Sequence, residues 1–227
     1  MLEAARQLDL QAIAAEPYEY RGILHSEMAV ILMACREHGI EYVIESGRAR
    51  AQSTYILAKY LPGVAILSID ARPEHPDTVD GVKRVEGFAN VCLFSGDGAI
   101  LAPALCQKVT APRPTAVLRD GPKGLPALEV MRRCFKHPHV KLDFVHDMRR
   151  LDHGQPSIFR LAAEHFPIAR FTDEPSVREE LGWMDEKILA AGGPVGPAHE
   201  QEYGSYGPTV GVFFNPASIT LQQQTAT

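Results

Sequence analysis

The sequence lacks the features that mark several classes of protein. The longest apolar run, Met28 to Cys35, has eight residues, well short of the roughly 18–20 that a membrane-spanning helix needs. Glu3, Arg6 and Asp9 lie within the first ten residues, which argues against a secretory signal. With 28 acidic and 23 basic side chains, there is no basic excess of the kind that indicates nucleic-acid binding. We therefore expect a cytoplasmic protein with neither a membrane nor a nucleic-acid partner.

Cysteine is scarce and forms no metal-binding or disulfide pattern. None of the four cysteines lies in a CxxC pair, so neither a zinc site nor a disulfide framework is indicated. A chain of 227 residues is long enough to bury a stable core without such cross-links. We expect four buried thiols in a reducing compartment, namely Cys35, Cys92, Cys106 and Cys134.

The middle of the chain alternates between short β-rich runs and helical stretches of about ten residues. This alternation is typical of crossover units and of a mainly parallel sheet. The expected strands are 41–45, 64–70, 91–94, 115–118 and a run that ends at residue 145. The expected helices that follow them are 53–61, 77–87, 99–109, 125–134 and 156–165.

The two ends of the chain depart from this alternation. Residues 1–40 are predicted to form a helical segment, with helices at 2–15 and 26–38. Residues 41–216 form the main domain, which has late strands at 169–172 and 209–214. The long polar stretch 173–206 between these strands is predicted to be a lid or a binding insertion, and 217–227 a flexible tail.

The most informative segment is the turn that joins the first strand to its helix. The strand ends in Glu45, turns at Gly47 and enters the helix near Ser53. Such a turn lets the backbone and the helix N-terminus approach a ligand. The dinucleotide fingerprint G-x-G-x-x-G does not fit, since Gly47 is followed by Ala49 and Gln52. The alternative is an ordinary strand–helix turn with a capping acid.

Acidic residues recur after the second and third strands. Asp70 ends the second strand, where a carboxylate in nucleotide-binding sheets accepts hydrogen bonds from ribose hydroxyls. Alone, an Asp at this place is more often a turn or helix cap. Gly96, Asp97 and Gly98 follow the third strand, and Asp97 either borders a bound base or caps the next helix.

The fourth and fifth strands also end in polar residues, at the sheet edge where open α/β folds bind ligands. Asp120 is followed three residues later by Lys123, and His146 and Asp147 end the fifth strand. Carboxylates and imidazoles bind divalent ions, and a lysine or histidine can take a proton as a general base. A solvated loop lysine and a structural histidine are the alternatives.

In their order along the chain, these segments resemble the motifs of class I S-adenosylmethionine-dependent methyltransferases. The pair formed by Asp120 with Lys123, followed by His146 with Asp147, is similar to the catechol O-methyltransferase-like group and its macrolide-sugar relatives. The resemblance covers roughly residues 25–214. It implies a Rossmann-like α/β fold with a seven-stranded, mostly parallel sheet, an antiparallel last strand, and helices on both faces. It also implies that residues 1–40 pack on the cofactor side.

The resemblance further implies methyl transfer from S-adenosylmethionine to a hydroxyl of a small-molecule acceptor. Lys123 or His146 would be the catalytic base, and 173–206 would shape acceptor choice. A divalent ion would be held by Asp120, His146 and Asp147; Mg²⁺ prefers all-oxygen ligands, whereas Mn²⁺ accepts the imidazole. The cofactor-binding residues would be Glu45, Gly47, Ser53, Asp70, Gly96, Asp97, Gly98 and Asp120.

The sequence departs from the family pattern at three positions, which leaves alternatives open. Ala49 and Ala51 stand where glycine is common, and His146 replaces an acid. One alternative is a nicotinamide-dependent oxidoreductase on a similar sheet, and another is a non-catalytic domain that only binds the cofactor. A metal-free enzyme with His146 as sole base is a third. The oligomeric state is also open, with a homodimer as one expectation.

Overall fold

The structure, a computed structural model, describes residues 8–20, 22–164, 166 and 169–217. The first five strands end before residue 146 and are β1 Tyr42–Ser46, β2 Ala65–Asp70, β3 Val91–Ser95, β4 Thr115–Arg119 and β5 Val140–Val145. The later strands are β6 Leu151–Asp152, β7 Gln155–Pro156, β8 Ala169–Phe171 and β9 Gly211–Phe214.

Helices lie before and between the first five strands, and further helices lie among the later strands. Before and between the first five strands lie α1 Leu10–Ala14, α2 His25–Glu37, α3 Gln52–Tyr60, α4 Pro76–Val85, α5 Gly98–Lys108 and α6 Leu125–Cys134. After them come α7 Ile158–Glu164, α8 Pro175–Leu181, a 3₁₀ turn Gly182–Asp185, α9 Glu186–Ala190 and α10 Pro197–Tyr203. None of the helices in the described ranges has the length and apolar character that crossing a bilayer requires.

Seven strands form one sheet in the order β3-β2-β1-β4-β5-β9-β8. The pairs from β3 to β5 are parallel, whereas β9 runs antiparallel to both β5 and β8. Ser46 at the end of β1 is level with Ile69 of β2 and Arg119 of β4. The loops that follow these three strands therefore emerge side by side, and the predicted sheet is confirmed.

The core lies on both faces of the sheet, because successive side chains of a strand point to opposite sides. Val43 of β1 packs with Ile31 of α2 and Ile56 of α3 on one face. Ile44, the next residue, packs with Leu105 of α5 and Val130 of α6 on the other. This burial on both faces explains why the central strands read as continuous apolar runs.

Three expectations differ from the structure. Cys92 is exposed, because β3 is the edge strand of the sheet and most of its side chains face solvent; the other three cysteines are buried as predicted. Among the described residues the first helix begins at Leu10, where the Asp9 carboxylate caps it, so Leu8 and Asp9 are not helical; the earlier part of the predicted helix lies outside the described residues. The predicted helix 156–165 begins at Ile158, because Pro156 pairs with Leu151 in the β6–β7 hairpin.

The stretch 173–206 is not an irregular loop. It contains α8, the 3₁₀ turn, α9 and α10, and its buried side chains join it to the body of the protein. Asp185 of the 3₁₀ turn accepts hydrogen bonds from the Ser26 backbone at 3.1 Å and from its hydroxyl at 2.5 Å. The predicted tail lies outside the described residues beyond Ala217.

The burial of Asp185 predicts that the free energy of unfolding depends on pH. Burial raises its pKa from 3.8 to about 7, although the bonds from Ser26 oppose the rise. The folded state therefore holds this proton more tightly than the unfolded state, and stability is lost as pH rises from about 4 to about 7. In the native protein we expect the free energy of unfolding to fall by about 2–4 kcal/mol over that pH range, and we expect Asp185→Asn to abolish this decrease. Urea unfolding at several pH values measures both. The exposed Asp80→Asn is the control, and an unchanged pH slope for Asp185→Asn would contradict the assignment.

Candidate active site

The turn after β1 has an unusual backbone. Gly47, Ala49 and Ala51 all have positive φ, at 102°, 42° and 57°. Glycine adopts this region freely, whereas alanine pays a steric cost there. The two alanines that depart from the family pattern thus hold glycine-like conformations, and Ala51 is the N-cap residue that directly precedes α3.

Gly47 joins this turn to the loop after β4. A Cβ on Gly47 would lie 2.9 Å from the backbone carbonyl carbon of Asp120, closer than real Cβ contacts allow. The backbone N–H of Asp120 also donates to the Ser46 carbonyl at 2.8 Å. The two loops are therefore fixed against each other at the carboxyl end of the sheet.

Glu45 lies beneath the turn and is fully buried. Its carboxylate accepts hydrogen bonds from the hydroxyls of Ser53, Thr54 and Ser68. Burial raises the pKa of Glu45, against the opposing effect of these bonds and of the Arg48 charge. The residue is placed to hold β1, β2 and the start of α3 together.

The acidic residues after β2 and β3 accept hydrogen bonds from nearby backbone N–H groups. Asp70 accepts the N–H of Ala49 at 2.9 Å and that of Arg72 at 2.8 Å. Asp97 caps α5 by accepting the N–H of Ala99 at 2.8 Å, which is one of its two predicted roles. Gly98 has no room for a side chain, since a Cβ there would meet the Ser46 hydroxyl oxygen at 1.8 Å.

The loops after β4 and β5 bring four predicted residues into one cluster. His146 Nδ1 lies 2.8 Å from Asp120 Oδ1, and the Lys123 ammonium also donates to that carboxylate. Lys123 Nζ is 2.6 Å from Asp147 Oδ2. Asp147 reaches this position through a backbone φ of 61°. The ammonium thus bridges the two carboxylates.

Glu27 of α2 completes the cluster, and sequence reasoning missed it. Its carboxylate oxygen lies 3.6 Å from His146 Nε2 and accepts the Leu24 N–H at 2.9 Å. Both Glu27 and His146 are almost fully buried. The sequence offered one weak signal. Glu27 lies in the first turn of the helix, directly before eight apolar residues, at a position where its side chain can cap the helix start.

The charges of the cluster stabilise one another. Burial alone would lower the pKa of His146, but Asp120 and Glu27 outweigh it and raise the pKa to about 10. Burial would likewise raise the pKa of Asp120, whereas His146 and Lys123 lower it to about 2. The pKa of Lys123 is raised, because Asp120 and Asp147 outweigh the effect of burial. His146 and Lys123 are therefore cations at neutral pH.

Two cavities meet at this cluster. A cavity of about 440 Å³ follows the turn after β1 and is lined by Gly47, Ser53 and Asp120 among others. A second, of about 300 Å³, is lined by Lys123, Asp147 and residues of the β6–β7 hairpin. The first lies in the usual size range of small-molecule sites, and the second at its lower end. Of the other predicted ligand-binding residues, Glu45, Asp70, Gly96, Asp97 and Gly98 do not line either cavity.

The segment between α1 and α2 forms one wall of the larger cavity. Glu19, Tyr20 and Ile23 line it. Gln52 fixes this wall, since its side chain accepts the Glu19 N–H at 2.7 Å and donates to the Ile23 carbonyl at 3.1 Å. Gln52 is a positioning residue that the sequence gave no reason to single out.

Three residues of the cluster are of the types that bind divalent ions. Asp120, His146 and Asp147 each offer one ligand atom, and these atoms lie within 4.8 Å of one another. Such a mixed donor set suits Mn²⁺ or Fe²⁺ better than Mg²⁺. However, Lys123 lies in contact with both carboxylates. While its ammonium holds this position, the residues do not fit a metal ion.

Comparison with known proteins finds similarity in structure but not in sequence. No protein-family model matches the chain, and a search of curated proteins found no significant match. The O-methyltransferase TomG from Streptomyces achromogenes, solved with SAM, has a TM-score of 0.52 at 17% identity, over 94% of this chain and 88% of that one.

Two further solved structures give the same result. A methyltransferase from Geobacter sulfurreducens has a TM-score of 0.53 at 14% identity, over 94% of this chain and 87% of that one. An O-methyltransferase from Bacillus cereus, solved with SAH, has a TM-score of 0.50 at 15% identity, over 93% and 90% of the two chains. At these identities the similarity establishes a shared fold, as the sequence motifs predicted.

The contact between Gly47 and Asp120 predicts a site-specific loss of stability. We expect Gly47→Ala to lower the free energy of unfolding by about 1–3 kcal/mol, because the new methyl group meets backbone and the φ is strained. Gly63→Ala is the matched control, since a Cβ there meets nothing within 4 Å. Equal stabilities of the two variants in denaturant unfolding would show that the two loops are not in close contact.

Proposed function

We propose that this protein transfers a methyl group from S-adenosylmethionine to a hydroxyl of a small-molecule acceptor. One observation carries the proposal: Asp120 lines the larger cavity and also binds Lys123 and His146. A ligand in that cavity would therefore lie next to the two cationic groups. The shared fold with O-methyltransferases solved with SAM or SAH supports this choice of cofactor.

The larger cavity is proposed as the cofactor site. S-adenosylmethionine supplies an activated methyl group on a sulfonium, together with an amine and a carboxylate. The lining of the cavity also carries charges of both signs. Its acidic residues are Glu19, Asp77 and Asp120, and its basic residues are Arg48, Arg50 and Arg72. Gly47 and Ser53, which line the cavity, are proposed to contact the ligand directly.

The predicted residues outside the cavity are assigned supporting roles. Glu45 would fix the turn from below through its three hydroxyl partners. Asp70 would hold Ala49 in its left-handed conformation. The segment Gly96–Gly98 would keep α5 close to Ser46. Asp97 caps the helix, and Gly98 has no side chain that would push Ser46 away. Ribose and adenine contacts remain predictions for these residues.

The smaller cavity is proposed as the acceptor site. Leu151 and Phe159 give it apolar walls, and Arg149 adds a positive charge. The guanidinium of Arg149 lies 4.4 Å from the ring centroid of Tyr203 in α10. The 173–206 segment would thus influence acceptor choice by positioning Arg149. These features favour a small hydroxylated acceptor that has an apolar body and an acidic group.

Lys123 is the proposed base of this reaction. At neutral pH it rests as the ammonium, because Asp120 and Asp147 raise its pKa. Its side chain is 46% exposed, so it can exchange this proton with solvent and reach the minor neutral form before the acceptor is attacked. The neutral amine would then take the proton of the acceptor hydroxyl, while the acceptor oxygen bonds to the methyl carbon, the bond from that carbon to sulfur breaks, and S-adenosylhomocysteine is left as the second product. Asp120 and Asp147 stabilise the ammonium that results. His146, at 3% exposed, cannot exchange protons directly with solvent and would position Asp120.

These roles predict that Lys123→Ala lowers kcat by about 10²-fold or more, which is the usual contribution of a general base. Asp120→Asn should also abolish turnover, because it weakens the hold on both cations. Affinity for S-adenosylhomocysteine should stay within about tenfold in each variant. The measurement is transfer of a labelled methyl group to a panel of hydroxylated acceptors, with binding of S-adenosylhomocysteine followed in parallel.

The control is Lys83→Ala, which removes a lysine three residues after an aspartate, as in the site, but on the exposed surface of α4. It should leave turnover unchanged. Near-normal activity of Lys123→Ala or Asp120→Asn would contradict the catalytic assignment.

A further inference from the structure

We infer that the ammonium of Lys123 takes the place that a divalent ion would otherwise occupy between Asp120 and Asp147, so that the native protein excludes such ions from this site. The inference concerns a binding property of this chain. Its consequence for methyl transfer rests on the proposed function.

The first argument is geometric. Lys123 Nζ lies 2.6 Å from Asp147 Oδ2 and is hydrogen-bonded to Asp120 Oδ1. The ligand atoms by which Asp120, His146 and Asp147 could hold an ion all lie within 4.8 Å of one another. An ion among these three donors would compete with the ammonium, because the same two carboxylates would serve both.

The second argument is electrostatic. Two carboxylates close together repel each other and attract a cation, and the attraction is strong where little water intervenes. Lys123 supplies that cation from within the chain, three residues after Asp120. A divalent ion would have to displace the Lys123 ammonium and would also lose part of its hydration shell, and both changes are unfavourable.

The third argument is the orientation of His146. Its Nδ1 faces Asp120 at 2.8 Å, and its Nε2 faces Glu27 at 3.6 Å. The imidazole is thus enclosed between two carboxylates, and its ring is almost fully buried. Recruiting it as an ion ligand would break its bond to Asp120, so the third donor is also engaged.

The inference changes what is expected of the reaction. If the proposed function is correct, the group between the two carboxylates beside the acceptor oxygen is Lys123, acting as the base, rather than an ion. Chelating agents should then leave methyl transfer unaffected. The replacement of an acid by His146 is consistent with this, because it removes one of the oxygen donors that Mg²⁺ prefers.

The test is Mn²⁺ binding by the full chain, followed by electron paramagnetic resonance of the free ion and by calorimetry. We expect Lys123→Ala to bind Mn²⁺ about tenfold or more tightly than the native protein, since it removes a unit charge that competes for the same carboxylates. Lys123→Arg keeps the charge and should bind Mn²⁺ as weakly as the native protein. In the double variant that carries both Lys123→Ala and Asp147→Asn, the gain in affinity for Mn²⁺ should be abolished.

Two results would overturn the inference. One is tight Mn²⁺ binding by the native protein that Lys123→Ala does not improve. The other is equal gain in Lys123→Ala and in the surface control Lys83→Ala. Circular dichroism of each variant shows that it is folded. Because these measurements need neither cofactor nor acceptor, they stand even if no methyl transfer is found.

Discussion

The arrangement of the site depends on the position of Asp120 between the loops of three neighbouring strands. Its backbone N–H bonds to Ser46 at the end of β1, and its backbone packs against Gly47. Its carboxylate binds His146 from β5 and Lys123 from its own loop. One residue thus fixes the distance between the larger cavity and the cationic cluster. Moving it would separate the proposed cofactor from the proposed base.

Much of the fold follows from the sequence pattern, because parallel strands and crossover helices leave a strong periodic signal. The strands that end in Glu45–Ser46, Asp70 and Arg119 are adjacent in the sheet, so acids placed by sequence at strand ends were expected to meet. Asp120, Lys123, His146 and Asp147 do meet, since their loops emerge beside one another. Their roles as catalytic or binding groups stay predictions until tested.

What could not be predicted depends on long-range contacts. Glu27 is far from His146 in sequence, and only the packing of α2 against the sheet brings the two side chains to 3.6 Å. Gln52 orients the Glu19–Ile23 wall through bonds between separate segments. The glycines and prolines of residues 173–206 suggested a loop, so the helices there were not predicted. Pro175 and Pro197 are in fact the first residues of two of these helices. The prediction that Cys92 is buried was wrong, because the sequence alone does not show which strand lies at the edge of the sheet.

The most direct test of this account is a calorimetric titration of the purified protein, after removal of bound metal, with S-adenosylhomocysteine and with NAD⁺. The account predicts micromolar binding of S-adenosylhomocysteine without added metal and no binding of NAD⁺. Binding of NAD⁺ instead, or of neither ligand, would contradict the assignment of the cavity beside Gly47 and Asp120.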